Sequence, residues 1–372
     1  MDNPLPEDFY KRRRKERKED IRGAFFRDQT AIIHSMPFRR LKHKTQVFFA
    51  PENDHVCTRI EHVLHVATIA TTICKGLNKN GNWKLNEELA FAIGIGHDLG
   101  HAPFGHAGET AINEILKSEF QFQHEINSYR VAAHLANNGE GLNLTYGVLD
   151  GIICHNGENF ERELKPNDKP NELEKIKNRK GIIPTSYEGC IVRFSDKIAY
   201  LGRDIEDALI ANFIKEKDVP ESIKKELGNS NGEIINTLVL DIIHSSKNND
   251  CICFSEKKFE LINELKKFNY KHIYNNKRIL EYKEFGKRII KNLFEHLSNL
   301  YAKYGLDTKK YLRSNIRLDK LFGRYLEKMR DFYTKEGLIP NQIIIDYIAG
   351  MTDDFALESI KQITIPKPIE FK

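Results

Sequence analysis

His97-Asp98, followed at short spacing by His101, His106 and Glu109, gathers three histidines and two carboxylates into thirteen residues. Imidazole and carboxylate together suit a borderline divalent cation, and three or four protein ligands leave positions open for water and substrate. Neighbouring side chains on a helix diverge. An adjacent His-Asp pair can therefore serve one ion only where a helix ends and the backbone bends, and Gly100, Pro103, Gly105 and Gly108 supply that bend. His62 offers a third ligand. Asp196 is the best fourth, an acidic group inside an otherwise apolar helical pattern, where burial is costly unless it is paired or metal-bound. Eight of the 14 histidines fall between His62 and His155, so they concentrate where such a site would be.

The elements that must position these groups read as helices. Ile60, Val63, Leu64, Ala67, Ile69, Ala70 and Ile73 recur at helical spacing around His62. Leu89, Ala92, Ile93 and Gly96 do so directly before His97, and Ile191, Phe194, Ile198, Leu201 and Ile205 do so around Asp196. Alternating strand patterns are scarce, with Cys251 to Phe254 a weak candidate. Asn156 to Lys180 reads as a long mobile loop and Lys215 to Gly232 as a second loose region. From about Asn236 the helices are longer and more charged. The expectation is an all-α protein with a core over residues 1–215 and a helical appendage over 216–372 packed on it.

With 372 residues the chain can bury a sizeable core. Its 40% hydrophobic and 30% charged content is that of a soluble globular protein. No apolar run approaches the roughly 18 residues that span a membrane, and the polar, basic N-terminus offers no secretory signal. These features predict a cytoplasmic protein with no membrane partner. Cys57, Cys74, Cys154, Cys190, Cys251 and Cys253 include no C-x-x-C pair and read as free thiols. The net charge of +5 is modest. The run Lys11-Arg12-Arg13-Arg14-Lys15 reads first as a solvated helix face, and otherwise as an attractor of polyanions such as triphosphates or single strands.

Five blocks in order carry a family resemblance. They are Phe38 to Phe48, Arg59-Ile60-Glu61-His62, His97 to Glu109, Asp196 to Ala208, and Asp346 to Asp353. Together they resemble the HD-superfamily deoxynucleoside triphosphate triphosphohydrolases, the bacterial dGTPase-like enzymes. The resemblance implies an HD-domain helical fold with an additional C-terminal helical region. It implies hydrolysis of a deoxynucleoside triphosphate, dGTP or dNTPs generally, to deoxynucleoside and inorganic triphosphate.

It further implies that His62, His97, Asp98 and Asp196 hold one divalent ion (Mn, Fe, Co, Ni, Zn or Mg), with Mg accompanying the substrate triphosphate. His106 and Glu109 would form an acid-base pair, three residues apart so that the carboxylate can orient the imidazole. His124 would assist near the α-phosphate. Arg59, His101, Lys197 and Tyr200 would face the triphosphate, and Gln46, Tyr200 and Asp204 the sugar. A nucleotide activator, single-stranded nucleic acid and a tetrameric or hexameric homo-oligomer are partners by family analogy.

Two positions depart from the family pattern: Glu61 stands before the first histidine, and His65 stands three residues after it on its helix face; neither position is a ligand in the family, so the metal site survives. His155 reads as packing or as support behind the site. His34, His55, His134, His244, His272 and His296 read as surface or packed residues, and His43 as a motif residue without a direct role. The rival readings are another HD phosphohydrolase acting on nucleotides, and a nucleotide or single-strand nucleic-acid sensor with the same fold.

Overall fold

The computed structural model describes residues 1–365 apart from residue 19 and residues 49–55, 118–119 and 157–159. His55 lies outside the described residues. The chain is helical almost throughout, and the one sheet among the described residues has two short strands.

Three helices build the frame of the site, and each starts where its sequence dictates. Arg59–Asn80 opens on a capping box in which the Thr58 amide donates to the Glu61 carboxylate at 2.6 Å. This gives Glu61 a job that fits its place before His62. Glu87–Gly96 is capped by the Asn86 side chain, which accepts from the Leu89 amide at 3.0 Å, and carries Glu87 and Glu88 in its first turn. Tyr187–Ile210 starts at Ser186, whose hydroxyl accepts from the Gly189 amide at 3.1 Å.

The three helices pack on one another. Gly94 sets how closely the second approaches the first, since a Cβ there would lie 2.6 Å from the Ala67 Cα. That close approach brings the end of Glu87–Gly96, and hence His97 and Asp98, beside His62. Gly100 does the same on the other side of the turn: a Cβ there would sit 2.2 Å from the Ser128 amide. Its own amide donates to Ser128 Oγ at 3.0 Å, and Asn127 Nδ2 donates to its carbonyl at 2.6 Å. The bend after His97 is thereby seated on the His124–Arg130 helix.

Two hydrophobic cores meet at this turn. The first gathers Val63, Val66, Ile93, Phe194 and Ile198 with Leu238, Ile242, Leu265 and Ile273. The second takes Phe104, Ala107, Ala111, Ile112 and Phe122 together with Ile289, Ile290, Leu293, Phe322 and Ile344. The His106–Leu116 helix, directly after the ligand-bearing turn, thus packs against Lys277–Tyr304 and the C-terminal helices. The chain crosses between the cores at the site itself.

The sequence reading of a long mobile loop over 156–180 is corrected for residues 160–180. Glu163–Leu164 pairs antiparallel with Ile252–Cys253, so the weak strand candidate finds its partner inside that loop. Asn171 bonds Asp150 Oδ1 at 2.7 Å and the Ile183 carbonyl at 2.8 Å. The second loose region contains a helix, Glu221–Glu226. All six cysteines are free thiols. Among the described residues no helix is long and apolar enough to cross a membrane.

Candidate active site

His62, His97 and Asp98 offer ligand atoms within 4.8 Å of one another, and all three are buried. Asp196 joins them from the Tyr187–Ile210 helix, its Oδ1 lying 2.9 Å from His62 Nε2 and 3.8 Å from His97 Nε2. His97 Nδ1 donates to the Gly94 carbonyl at 2.7 Å. That bond fixes the tautomer and leaves a lone pair on Nε2, which has no hydrogen-bond partner although it is buried. A buried imidazole nitrogen without a hydrogen-bond partner, 3.7 and 3.8 Å from oxygens of two carboxylates, fits a site able to hold a cation. The donor set of two imidazoles and two carboxylates fits a borderline divalent metal.

Both carboxylates are held ionised. Burial raises the Asp98 carboxyl, but His97 and Arg59 outweigh it and leave it well below the usual carboxylate range. For Asp196, burial is outweighed by the His62 hydrogen bond and by the neighbouring His97 imidazole. His65, half-buried on the same helix, falls outside the metal-holding clusters found among the described residues.

Beside this cluster stand His101, His106 and His124, whose ligand atoms also approach within 4.8 Å. His101 and His124 stack with centroids 4.4 Å apart, and His106 sits edge-on to both at 5.4 and 5.7 Å. Glu109 accepts from His124 Nδ1 at 2.9 Å, so this carboxylate orients His124, and it also lies within electrostatic reach of His106. Glu125, fully buried, lies 3.5 Å from the same nitrogen. Burial pulls the His124 imidazole down, but Glu125 and Glu109 prevail and hold it cationic. Reciprocally, Glu109 is held below its ordinary range by His124 against the effect of burial. His101 is held neutral by burial and by the Arg59 and His124 charges.

A cavity of about 490 Å³ joins the two clusters, a size suited to a small-molecule ligand. Gln46, Arg59, His101, His106, Glu109, His124, Tyr200 and Asp204 all line it, with the metal-cluster residues His62, Asp98 and Asp196 at its floor. Arg59 reaches the cavity while its Nη1 bonds Asp98 Oδ2 at 2.5 Å. Asp204 accepts from the Tyr274 hydroxyl. Burial and the neighbouring Asp207 push its carboxyl up to about 7 despite that hydrogen bond.

Lys197 is buried, its Nζ set over the Phe160 and Phe194 rings at 5.2 and 5.3 Å from their centroids and without a hydrogen-bond partner. Burial and Arg193 lower its ammonium to about 7.

Several wall residues escaped the sequence reading. Arg179, from the 160–180 segment, lies 3.2 Å from Glu125 and 3.7 Å from Glu109. Lys266, Tyr270, Tyr274 and Lys283 also line the cavity, and Tyr274 ends a wide helical turn over Tyr270–Tyr274. His155 sits behind the metal cluster, its ring 4.9 Å from His97 and its Nδ1 donating to the Ile152 carbonyl at 2.6 Å.

Comparison with known proteins agrees with this geometry. The HD domain model matches residues 59–201, and the model described as phosphohydrolase-associated domain matches residues 252–362. The chain is 38% identical over 357 residues to a protein of Caldanaerobacter subterraneus subsp. tengcongensis, covering 96% of this chain and 89% of that one. It is 36% identical over 359 residues to a Clostridium tetani protein, covering 95% and 89%. It is 34% identical over 393 residues to a Pelagibacter ubique protein, covering 94% and 95%. All three are named deoxyguanosinetriphosphate triphosphohydrolase-like protein.

Proposed function

The chain belongs to the HD-domain family of deoxyguanosinetriphosphate triphosphohydrolase-like proteins, and on that footing we propose that it hydrolyses a deoxynucleoside triphosphate to deoxynucleoside and inorganic triphosphate. The observation that carries this reading is the shared cavity. Its wall takes in His62, Asp98 and Asp196, the histidines His101, His106 and His124 with Glu109, and Tyr200, Tyr270, Tyr274 and Asp204. Such a wall suits a ligand that carries phosphates, a sugar and a base.

His62, His97, Asp98 and Asp196 would hold one divalent ion. When bound, it supplies Lewis acidity toward the α-phosphate and lowers the pKa of water there. The chain's own groups do the rest. His106, at the cavity wall, would donate the proton that the departing 5′-oxygen needs, a role that suits an imidazole. His124, kept cationic by Glu109 and Glu125, would place a fixed positive charge beside the phosphates, where negative charge grows in the transition state. Neutral His101 can donate from one ring nitrogen without adding charge. Arg59 keeps Asp98 ionised and lies close enough to the phosphates to share its remaining donors. Arg179, Lys266 and Lys283 are further cations at the wall.

At the sugar end, Gln46 and Asp204 would bond the 3′-hydroxyl, and the Tyr200 ring would crowd the 2′ position and disfavour ribonucleotides. Gln46 Oε1 is buried without a partner, which supports a ligand contact there.

The deciding experiment incubates the protein with each dNTP and Mn²⁺ and identifies the products by mass. Inorganic triphosphate with free deoxynucleoside is expected. Release of pyrophosphate and a monophosphate, or turnover of cyclic or monophosphate nucleotides alone, overturns the reading.

A further inference from the structure

The C-terminal block Asp346 to Asp353 is far in sequence from the groups that line the cavity, and no cavity wall residue comes from it. Asp353 nevertheless reaches both loops that carry them. Its carboxylate accepts the Thr45 amide on Oδ2 at 2.9 Å and the Phe104 amide on Oδ1 at 2.9 Å. Thr45 directly precedes Gln46. Phe104 stands between His101 and His106 and has φ 62°, a left-handed conformation that a bulky residue adopts only when its surroundings impose it.

Lys44 makes the matching bridge. Its buried Nζ donates to the His101 carbonyl and, at 2.9 Å, to the Ala349 carbonyl. The Lys44 carbonyl accepts the Arg59 amide at 3.2 Å, which ties the same strap to the start of the His62 helix. Asp353 is 2% exposed and touches neither ligand cluster, so its bonds are spent on holding backbone.

We infer that Asp353 is a positioning residue: from the C-terminal helix it fixes the Gln46 loop against the His101–His106 turn, with Lys44 closing the second side of the clamp. A charge-assisted bond from one carboxylate to two amides is stronger than a neutral one and fixes two directions at once. Both loops donate amides to the same carboxylate, so their separation is set by its geometry and not by either loop. The role in turnover rests on the triphosphohydrolase reading; the clamp itself does not.

The test uses the full chain with Asp353→Asn, which keeps size but presents an NH₂ group to one of two amide donors, and Lys44→Met, which removes the second bridge. Hydrogen exchange followed by mass spectrometry reads the clamp without any substrate. Exchange should quicken in peptides covering 44–47 and 101–106 and stay unchanged in the Tyr187–Ile210 helix. Turnover reads the consequence. Asp353→Asn should lower kcat by about 10–100-fold, since a misplacement of about 1 Å can cost 10². Bound metal should stay at the wild-type level, and Asp353→Glu should recover part of the loss. In a His106→Ala background the Asp353→Asn change should cost far less, because the group it positions is gone.

Unchanged exchange at both loops in Asp353→Asn overturns the clamp, whatever the protein hydrolyses. Altered exchange in Asp353→Asn, with a wild type that releases no triphosphate from any dNTP, keeps the clamp and removes the functional reading. If Asp353→Asn does not fold, Lys44→Met decides by the same exchange peptides.

Discussion

His124 Nδ1 lies 2.9 Å from Glu109 Oε2, a bond between two buried groups on the His124–Arg130 and His106–Leu116 helices. It links the charge of one to the charge of the other, so neither can be altered alone. Glu109→Gln should release His124 toward its ordinary range and lower kcat by about 10²–10⁴, the span of general acid-base groups. Metal content should not move. With His106→Ala added, the loss should be less than the product of the two single losses, as for groups acting on one step. Steady-state kinetics on the three variants check this, and a fully multiplicative loss would separate the roles of His106 and Glu109.

His62 and Asp196 come from opposite sides of the cluster, 2.9 Å apart, and both face the orphaned His97 Nε2. Asp196→Ala should therefore lose bound metal in elemental analysis and lose activity with it. A variant that retained wild-type metal content and rate would remove Asp196 from the ligand set.

The Arg59–Asp98 pair is buried on both sides, with side chains 2% and 4% exposed. Breaking such a pair by removing one partner typically costs about 3–5 kcal/mol, because the remaining charge stays buried. Arg59→Ala should lower the denaturant midpoint accordingly in the metal-free protein. The loss should shrink once metal occupies the site and takes over the partnership with Asp98. An equal loss with and without metal would place the role of Arg59 elsewhere.

These groups differ in how far the sequence discloses them. The grouping of His62, His97, Asp98 and Asp196 was legible because few residue types can hold a divalent ion and each sits on, or directly after, a strongly periodic helix. The helical class followed from the same periodicity. Arg179 and Tyr274 were not legible. One comes from a segment without a period, the other from a wide turn where helical spacing fails. The His124–Glu109 bond was hidden because His124, fifteen residues on, returns to Glu109 only through tertiary packing.

The Gly94 contact gives a prediction about the frame and not the chemistry. A methyl group at that position would meet the Ala67 Cα at 2.6 Å and its amide nitrogen at 2.9 Å, both backbone atoms that cannot swing aside. Gly94→Ala should destabilise by about 1–3 kcal/mol, the usual cost of overpacking a core. Because His97 hangs from the end of the same helix, metal affinity should fall as well. Thermal melts and metal titration check the two effects. A stable variant with unaltered metal affinity would show that the helices can separate without moving the ligands.

Asp204 supplies a pH dependence whose sign can be worked out. In the unfolded chain its carboxyl releases its proton near pH 4. In the folded protein, burial and the neighbouring Asp207, against the Tyr274 hydrogen bond, delay that release to about 7. Between those values the folded state binds the extra proton, so stability falls as pH rises. The contribution is fully present below about pH 4 and is lost as pH climbs through about 7. Asp207, pushed up to about 6 by burial against the Cys57 amide and the Arg203 charge, acts in the same direction over the lower part of the window. Asp204→Asn keeps an oxygen for the Tyr274 hydroxyl but cannot ionise. Melting curves of wild type and variant, taken at half-unit steps from pH 5 to 8 with the same metal present, should converge at the acid end. They should diverge in favour of the variant at pH 8. Parallel curves across the whole range would show that Asp204 is already ionised in the folded protein at pH 5, and would remove the protonated carboxyl from the sugar end of the cavity.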